Sequence, residues 1–194
     1  MILTSVLYTL VTTLLLGVGY PLLVTGLAHV LFPRQAGGQL IQQNGVLVGS
    51  RLIGQPFSGD TYFHSRPSAA GAGYDATASG GSNYAATNNK LIARIADDTA
   101  VAQKDHPGQP VPIDLVTASA SGLDSDITPA AADYQAARVA RARGQGVDAV
   151  RALIQRHTEP RQFGVLGEPV VNVLELNLEL DKSGKPDLDK SGRK

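Results

Sequence analysis

Positions 2–32 contain no Asp, Glu, Lys or Arg, and the first charged side chain is Arg34. About 20 apolar residues at 1.5 Å rise each cross a hydrocarbon core roughly 30 Å thick. Residues 1–33 therefore predict a transmembrane anchor. A cleaved signal peptide is a poorer description: the leader carries no basic residue, the apolar run is too long, and Gly26-Leu27-Ala28-His29-Val30 is a poor cleavage site. Ser5, Thr12, Gly19 and Gly26 fall seven apart, with Thr9 beside them, and so share one helical face. That stripe either packs on another helix or reflects the ordinary frequency of small residues in membrane spans. Pro21 predicts a kink, and His29 lies toward the interface.

Beyond the anchor the pattern changes. Residues 34–44 are polar and Gly-rich and predict a linker; residues 45–180 form one soluble domain; residues 181–194 are a polar tail expected to be disordered. Gly45-Val46-Leu47-Val48 and Arg51-Leu52-Ile53 predict strand material broken at Gly49-Ser50. Residues 55–82 are crowded with Gly, Ser, Pro and Ala and have no period, which inside a compact domain marks a functional or mobile loop. Leu91, Ile92, Ile95 and Ala96 recur at helical spacing, with Thr87 or Asn88 as cap. Residues 111–116 predict a short buried strand.

Thr128-Pro129 predicts a helix start and Gly144 its end, with Arg138, Arg141 and Arg143 toward the negative terminus. A second helix follows Gly146, with Val147, Val150, Ile154 and His157 on one face, giving a helical hairpin. Leu174, Leu176, Leu178 and Leu180 alternate with polar residues and favour a strand over a helix, with a bulge where the phase slips after Val173. The fold class is α+β: a single N-terminal transmembrane helix followed by one mixed α/β soluble domain. The tail repeats itself, residues 180–185 against 188–193.

Composition removes several chemistries. Acidic and basic residues balance at 17 each and there is no cysteine, which argues against nucleic-acid binding and excludes disulfides and thiolate catalysis. The four histidines, His29, His64, His106 and His157, lack metal-ligand spacing, so no metal site is expected. Ser119 and Ser121 lack the flanking glycines of a nucleophile elbow. Asp124 and Asp126 read as turn residues ahead of the Thr128 cap, with cation enrichment as the alternative. Ser79-Gly80-Gly81-Ser82-Asn83 before a helix offers N–H groups to a phosphate, or merely turns into the helix. No catalytic residue is assigned.

Several uncommon strings are more specific. They are Gly49-Ser50-Arg51-Leu52-Ile53-Gly54-Gln55-Pro56-Phe57; Tyr62-Phe63-His64-Ser65-Arg66-Pro67-Ser68-Ala69; Ser79-Gly80-Gly81-Ser82-Asn83; and Asp114-Leu115-Val116-Thr117-Ala118-Ser119-Ala120-Ser121-Gly122-Leu123-Asp124. The run from Gln135 to Gly144, Leu166-Gly167-Glu168-Pro169 and Val171-Asn172-Val173-Leu174 follow. In this order, behind one span, they resemble the C subunit of the Kdp-type potassium-transporting ATPase of bacteria and archaea, from the anchor to about Asp181. Asp181-Lys182-Ser183-Gly184 is similar to the phosphorylated-aspartate motif of P-type ATPases, but the chain is too short for that enzyme's domains, and the match is read as coincidence.

The resemblance implies a non-catalytic accessory subunit of a high-affinity, ATP-driven potassium uptake complex, one that stabilises the complex and raises the ATP affinity of the hydrolytic subunit. Its implied partners are a channel-like potassium-binding subunit, the P-type ATPase subunit and a small single-span subunit, together with membrane lipid and no nucleic acid. It implies a single-pass protein of the bacterial or archaeal cell (inner) membrane, with the soluble domain extracytoplasmic. No cofactor is held firmly, and ATP enters only in complex with the hydrolytic subunit. By this resemblance Gln135 is the nucleotide-linked residue. Alternatives are a direct nucleotide-binding module, or an extracytoplasmic cap over the potassium entrance formed by residues 55–82. The flanking Arg34 and Arg51 lean toward a cytoplasmic domain, but two arginines decide little against the family topology. A domain across the membrane from ATP can act on its binding only by shifting a conformational equilibrium.

Overall fold

The computed structural model describes residues 1–104 and 106–183. The chain divides into two compact units, Met1–Ser50 and the remainder from Arg51.

In the first unit, helix α1 (Ile2–Thr12), a π-helical stretch (Thr13–Gly19) and helix α2 (Tyr20–Leu31) form one helix of 30 residues, long and apolar enough to cross a membrane. Pro21 does not break it. Its ring would meet the carbonyl of the preceding turn, and the wider π turns just before it relieve that conflict. Ser5, Thr12 and His29, polar residues of the span, bond to carbonyls of the preceding turn. Thr12 Oγ1 donates to Tyr8 O at 2.8 Å, and His29 Nδ1 lies 2.9 Å from Thr25 O.

A short helix α3 (Pro33–Ala36) and an antiparallel hairpin, β1 (Leu40–Gln43) with β2 (Val46–Ser50), complete this unit. The segment expected as a linker thus carries a helical turn and a strand. Asn44 and Gly45 sit at φ of 52° and 78°, the two positive values that a two-residue type I′ turn demands. Strand β2 continues through Gly49 and Ser50, where a break was expected, and residues 51–53 form a turn instead of a second strand.

In the second unit, helix α4 (Asn89–Ala102) is capped by Asn88, whose Oδ1 accepts from Lys90 N at 2.8 Å. Helix α5 (Pro129–Arg143) begins at the Thr128 cap and ends on left-handed Gly144. Helix α6 (Val147–Arg156) packs back on it as expected. A three-stranded antiparallel sheet runs in the order β3 (Asp126–Ile127), β5 (Val170–Asn172), β4 (Thr158–Glu159). Buried Ala131, Ala132, Ala136 and Ala140 give α5 a shallow face, on which Val150, Leu153, Ile154, Val171, Leu176, Leu180 and Phe63 close the core.

Two expected strands are corrected. Residues 113–115 form a 3-10 turn in which Asp114 is buried and its Oδ2 accepts from Thr128 N at 2.9 Å, while Ile113 is exposed. Pro110 and Pro112 remove the ladder donors that a strand there would need. The leucine alternation near the C-terminus belongs to helix α7 (Val173–Ser183). Its buried positions are Val173, Leu174, Leu176, Asn177 and Leu180, a helical face that includes one polar residue. Asn172 Oδ1 caps this helix by accepting from Glu175 N at 3.1 Å. Residues 181–183 of the expected tail are helical, and the remainder of the tail, with its second repeat, lies outside the described residues.

Candidate functional site

Residues 55–75 contain no regular helix or strand, yet Phe63 in their midst is fully buried. Buried peptide groups must find partners, and here side chains supply them. Asn177 Oδ1 accepts from Phe63 N and its Nδ2 donates to Phe63 O, both at 2.9 Å. Gln135 does the same for the next residue: Oε1 accepts from His64 N at 2.8 Å and Nε2 donates to His64 O at 3.1 Å. Two amide side chains, from α7 and α5, thus act as a substitute for neighbouring strands.

Arginines of α5 hold the preceding carbonyls. Arg138 donates to Gly59 O, Asp60 O and Tyr62 O at 3.3, 2.9 and 3.1 Å, and to Gln135 Oε1 at 2.8 Å. Arg143 Nε donates to Thr61 O at 2.6 Å, its Nη2 pairs with Asp181, and its guanidinium lies 4.9 Å from the Tyr62 ring centre. The arginines expected to serve the helix terminus therefore include two that fasten a distant loop.

A second junction stands beside the first. Arg66 Nη1 pairs with Asp124 Oδ2 at 3.0 Å, and Ser68 Oγ donates to Gly122 O at 2.6 Å. Gly80 N donates to Ser121 O at 2.8 Å. One of the N–H groups expected to serve a phosphate, that of Gly80, is thus engaged with the 117–124 loop, and α4 begins only at Asn89. Asp124 Oδ1 accepts from Asp126 N at 3.2 Å, which is turn duty. Asp126 Oδ1 accepts from Asn172 Nδ2 at 2.7 Å.

Burial pushes Asp126 above its ordinary value of 3.8, with the Asn172 and Ser125 hydrogen bonds opposing. A carboxyl raised in the folded state contributes stability fully present below the unfolded value and lost as pH climbs through the folded one. Asp126→Asn is therefore expected to raise the thermal midpoint at pH 7 and to leave it nearly unchanged at pH 3. Thermal unfolding at the two pH values checks this.

Between the loop, α4 and α5 lies a cavity of about 500 Å³ lined by Asp60, His64, Asp98, Lys104, Tyr134 and Gln135, among others. Asp98 is pushed up by burial, with Arg94 opposing, and its Oδ2 has no hydrogen-bond partner among the described residues. Gln135 reaches this cavity, but both ends of its amide already hold protein groups, Nε2 also donating to Ala131 O at 3.3 Å. Among the described residues no group of three or more His, Cys, Asp or Glu stands where it could hold a metal.

An apolar helix long enough to cross a membrane, followed by an α+β domain whose buried polar side chains fasten loops, is the build of a membrane-anchored protein. Comparison makes the class specific. The family model described as "K+-transporting ATPase, c chain" (KdpC) matches residues 2–182. The chain is 59% identical over 180 residues to the potassium-transporting ATPase KdpC subunit of Koribacter versatilis, covering 93% of each chain. It is 61% identical over 179 residues to that of Acidobacterium capsulatum, covering 92% of this chain and 96% of the relative. With Rhodospirillum rubrum the identity is 56% over 172 residues, 88% of this chain and 89% of the relative. The chain belongs to the KdpC family: it is a membrane-associated accessory subunit of a potassium-transporting ATPase complex, distinct from the catalytic subunit.

Proposed function

We propose that this subunit stabilises the potassium uptake complex and raises the ATP affinity of the hydrolytic subunit through a conformational equilibrium, without touching the nucleotide. The observation that carries this is the engagement of Gln135. Its carbonyl accepts from His64 N and Arg138, and its amide donates to His64 O and Ala131 O. A nucleotide contact there would have to break these bonds. In this reading the soluble domain is extracytoplasmic and works beside a channel-like subunit, the P-type ATPase subunit and a small single-span subunit. The fastened loop of residues 55–82 presents a fixed shape to them, as a cap over the potassium entrance would require. No cofactor is held firmly by the chain.

Leaving the chain out of the purified complex is expected to weaken ATP binding by the hydrolytic subunit roughly 5–150-fold, the usual span of coupling between distant sites. Equal affinity with and without it overturns the proposal. Topology is tested with Ala100→Cys, on the exposed side of α4 in a chain without cysteine. Labelling by a membrane-impermeant maleimide on intact cells is expected; labelling only after lysis overturns the extracytoplasmic placement.

The cavity favours a second reading, direct nucleotide binding. Its volume falls in the range of small-ligand sites, roughly 300–1,000 Å³, and Lys104 and His64 line it beside Gln135. Gln135→Ala separates the two. Under the first reading it lowers domain stability by about 2 kcal/mol, since the His64 peptide loses both partners, and any change in ATP affinity follows unfolding. Lost nucleotide binding at an unchanged thermal midpoint would support the second.

A further inference from the structure

Helix α6 and strand β4 lead into a small exposed loop, residues 162–166, of which only Leu166 falls within a motif named above. Gln162 and Leu166 pair across it: Gln162 N donates to Leu166 O, and Leu166 N to Gln162 O, both at 2.9 Å. Gly164 N and Val165 N donate to Arg161 O and Gln162 O at 3.0 and 3.2 Å. At its tip Phe163 is 91% exposed, followed by Val165 at 72% and Leu166 at 56%. Phe163 also sits at φ 53°, a left-handed conformation in which a bulky side chain is an outlier and asparagine is at home. Neither burial nor backbone preference within this chain calls for phenylalanine at that position.

We propose that residues 162–166 form a preformed apolar plug that seats Phe163 in an apolar recess of a companion subunit of the transporter. The inference rests on the reading of the chain as one member of a hetero-oligomer. The physics suits burial. With the donors of Gln162, Gly164, Val165 and Leu166 satisfied inside the loop, covering it leaves few polar groups stranded. Because the loop is already closed, little ordering entropy is lost on docking. A central aromatic anchor inside a polar rim is also the usual composition of an energetic hot spot.

Charge selects protein over lipid. The charged residues at the base are Glu159, Arg161 and Glu168. Arg161 is paired with Glu168 at 2.5 Å, and Glu159 is paired with Arg51. Counted with Arg51, these groups form two ion pairs of zero net charge, so the loop base offers an anionic headgroup no excess of positive charge. The loop holds neither Trp nor Tyr, the aromatics favoured at a membrane interface.

The test places the photoreactive side chain p-benzoylphenylalanine at position 163 of the full chain within the assembled transporter in its membranes. Illumination is expected to join this chain to a companion subunit identified by mass spectrometry. Joining to lipid, to a second copy of the chain, or to nothing while the complex remains assembled overturns the inference. In parallel, Phe163→Asn is expected to lower retention of the chain on the detergent-purified complex about tenfold, with a thermal midpoint equal to wild type or higher. Unchanged retention overturns the inference, and so does a lowered midpoint, because Phe163 would then serve the fold. Wild-type chain that purifies without any companion would instead overturn the subunit reading beneath it.

Discussion

Gly122→Ala is expected to destabilise the soluble domain by about 3–4 kcal/mol, the sum of a left-handed backbone penalty and an overpacking term. Gly122 lies at φ 68°, and a Cβ there would stand 2.6 Å from Gly80 O, 2.7 Å from Ala70 N and 2.9 Å from Ala70 Cβ. Two of these neighbours are backbone atoms and the third is an alanine Cβ, so no flexible side chain can swing aside. They belong to two chain segments that converge on a third, that of Gly122: Ser68 Oγ donates to Gly122 O, and Gly80 N donates to Ser121 O. Relieving the clash therefore means parting the loops that carry Arg66 and Asp124. Gly108→Ala is the control. Gly108 has a similar φ of 76° but open space around its α-carbon, so alanine there pays only the conformational penalty, about 1 kcal/mol. Denaturant unfolding of the two variants should differ by at least about 2 kcal/mol. Equal losses would mean that the three segments do not meet as described. In the assembled transporter, Gly122→Ala should also reduce recovery of the chain, while Gly108→Ala should not.

The parts of this architecture that were legible in the chain are those whose signals are local. Thirty-one uncharged positions mark the apolar helix, and Thr128-Pro129 with Gly144 mark both ends of α5, because capping depends on neighbouring residues alone. Asn44-Gly45 and Asn172-x-x-Glu175 are equally local signals, of a type I′ turn and of a capped helix start. Gly content around the first and leucine alternation after the second obscure them. The error at α7 has a definite cause. The apolar positions alone alternate, and Asn177, 1% exposed, completes the helical period. The site itself was not legible. Gln135 and His64 are 71 residues apart, Asn177 and Phe63 are 114 apart, and an amide that serves as a strand edge has no pattern of its own. Gln135 stands out by family resemblance as nucleotide-linked, and its clamp on the His64 peptide becomes visible only in the structure. Phe163 was hidden for a different reason: nothing in the local pattern around it tells that it is exposed.

Asn177→Leu, which keeps the side-chain size nearly constant, is expected to cost about 4 kcal/mol, since two buried peptide groups lose their partners at roughly 1–3 kcal/mol each. The stranded groups are Phe63 N and Phe63 O, and Phe63 is fully buried, so water cannot replace the amide. The added methyl groups recover little, because the leucine faces a peptide instead of an apolar wall. Asn177→Asp sharpens the argument. Its carboxylate can still accept from Phe63 N, but it turns a second anionic oxygen toward Phe63 O, where a donor stood. Protonation restores that donor, so the folded state raises the carboxyl above its unfolded value of about 3.9. Stability is then full below that value and falls as pH rises through the folded one. At pH 7, N177D should be at least as damaged as N177L; at pH 3 it should regain much of the wild-type midpoint while N177L does not. A flat pH response of N177D relative to wild type would show that Asn177 does not hold both sides of the Phe63 peptide. Because His64 and Arg66 follow directly on Phe63, the acid rescue should extend to assembly. A complex reconstituted with N177D at low pH should retain the chain better than one formed at neutral pH, although Asn177 itself, 1% exposed, touches no companion.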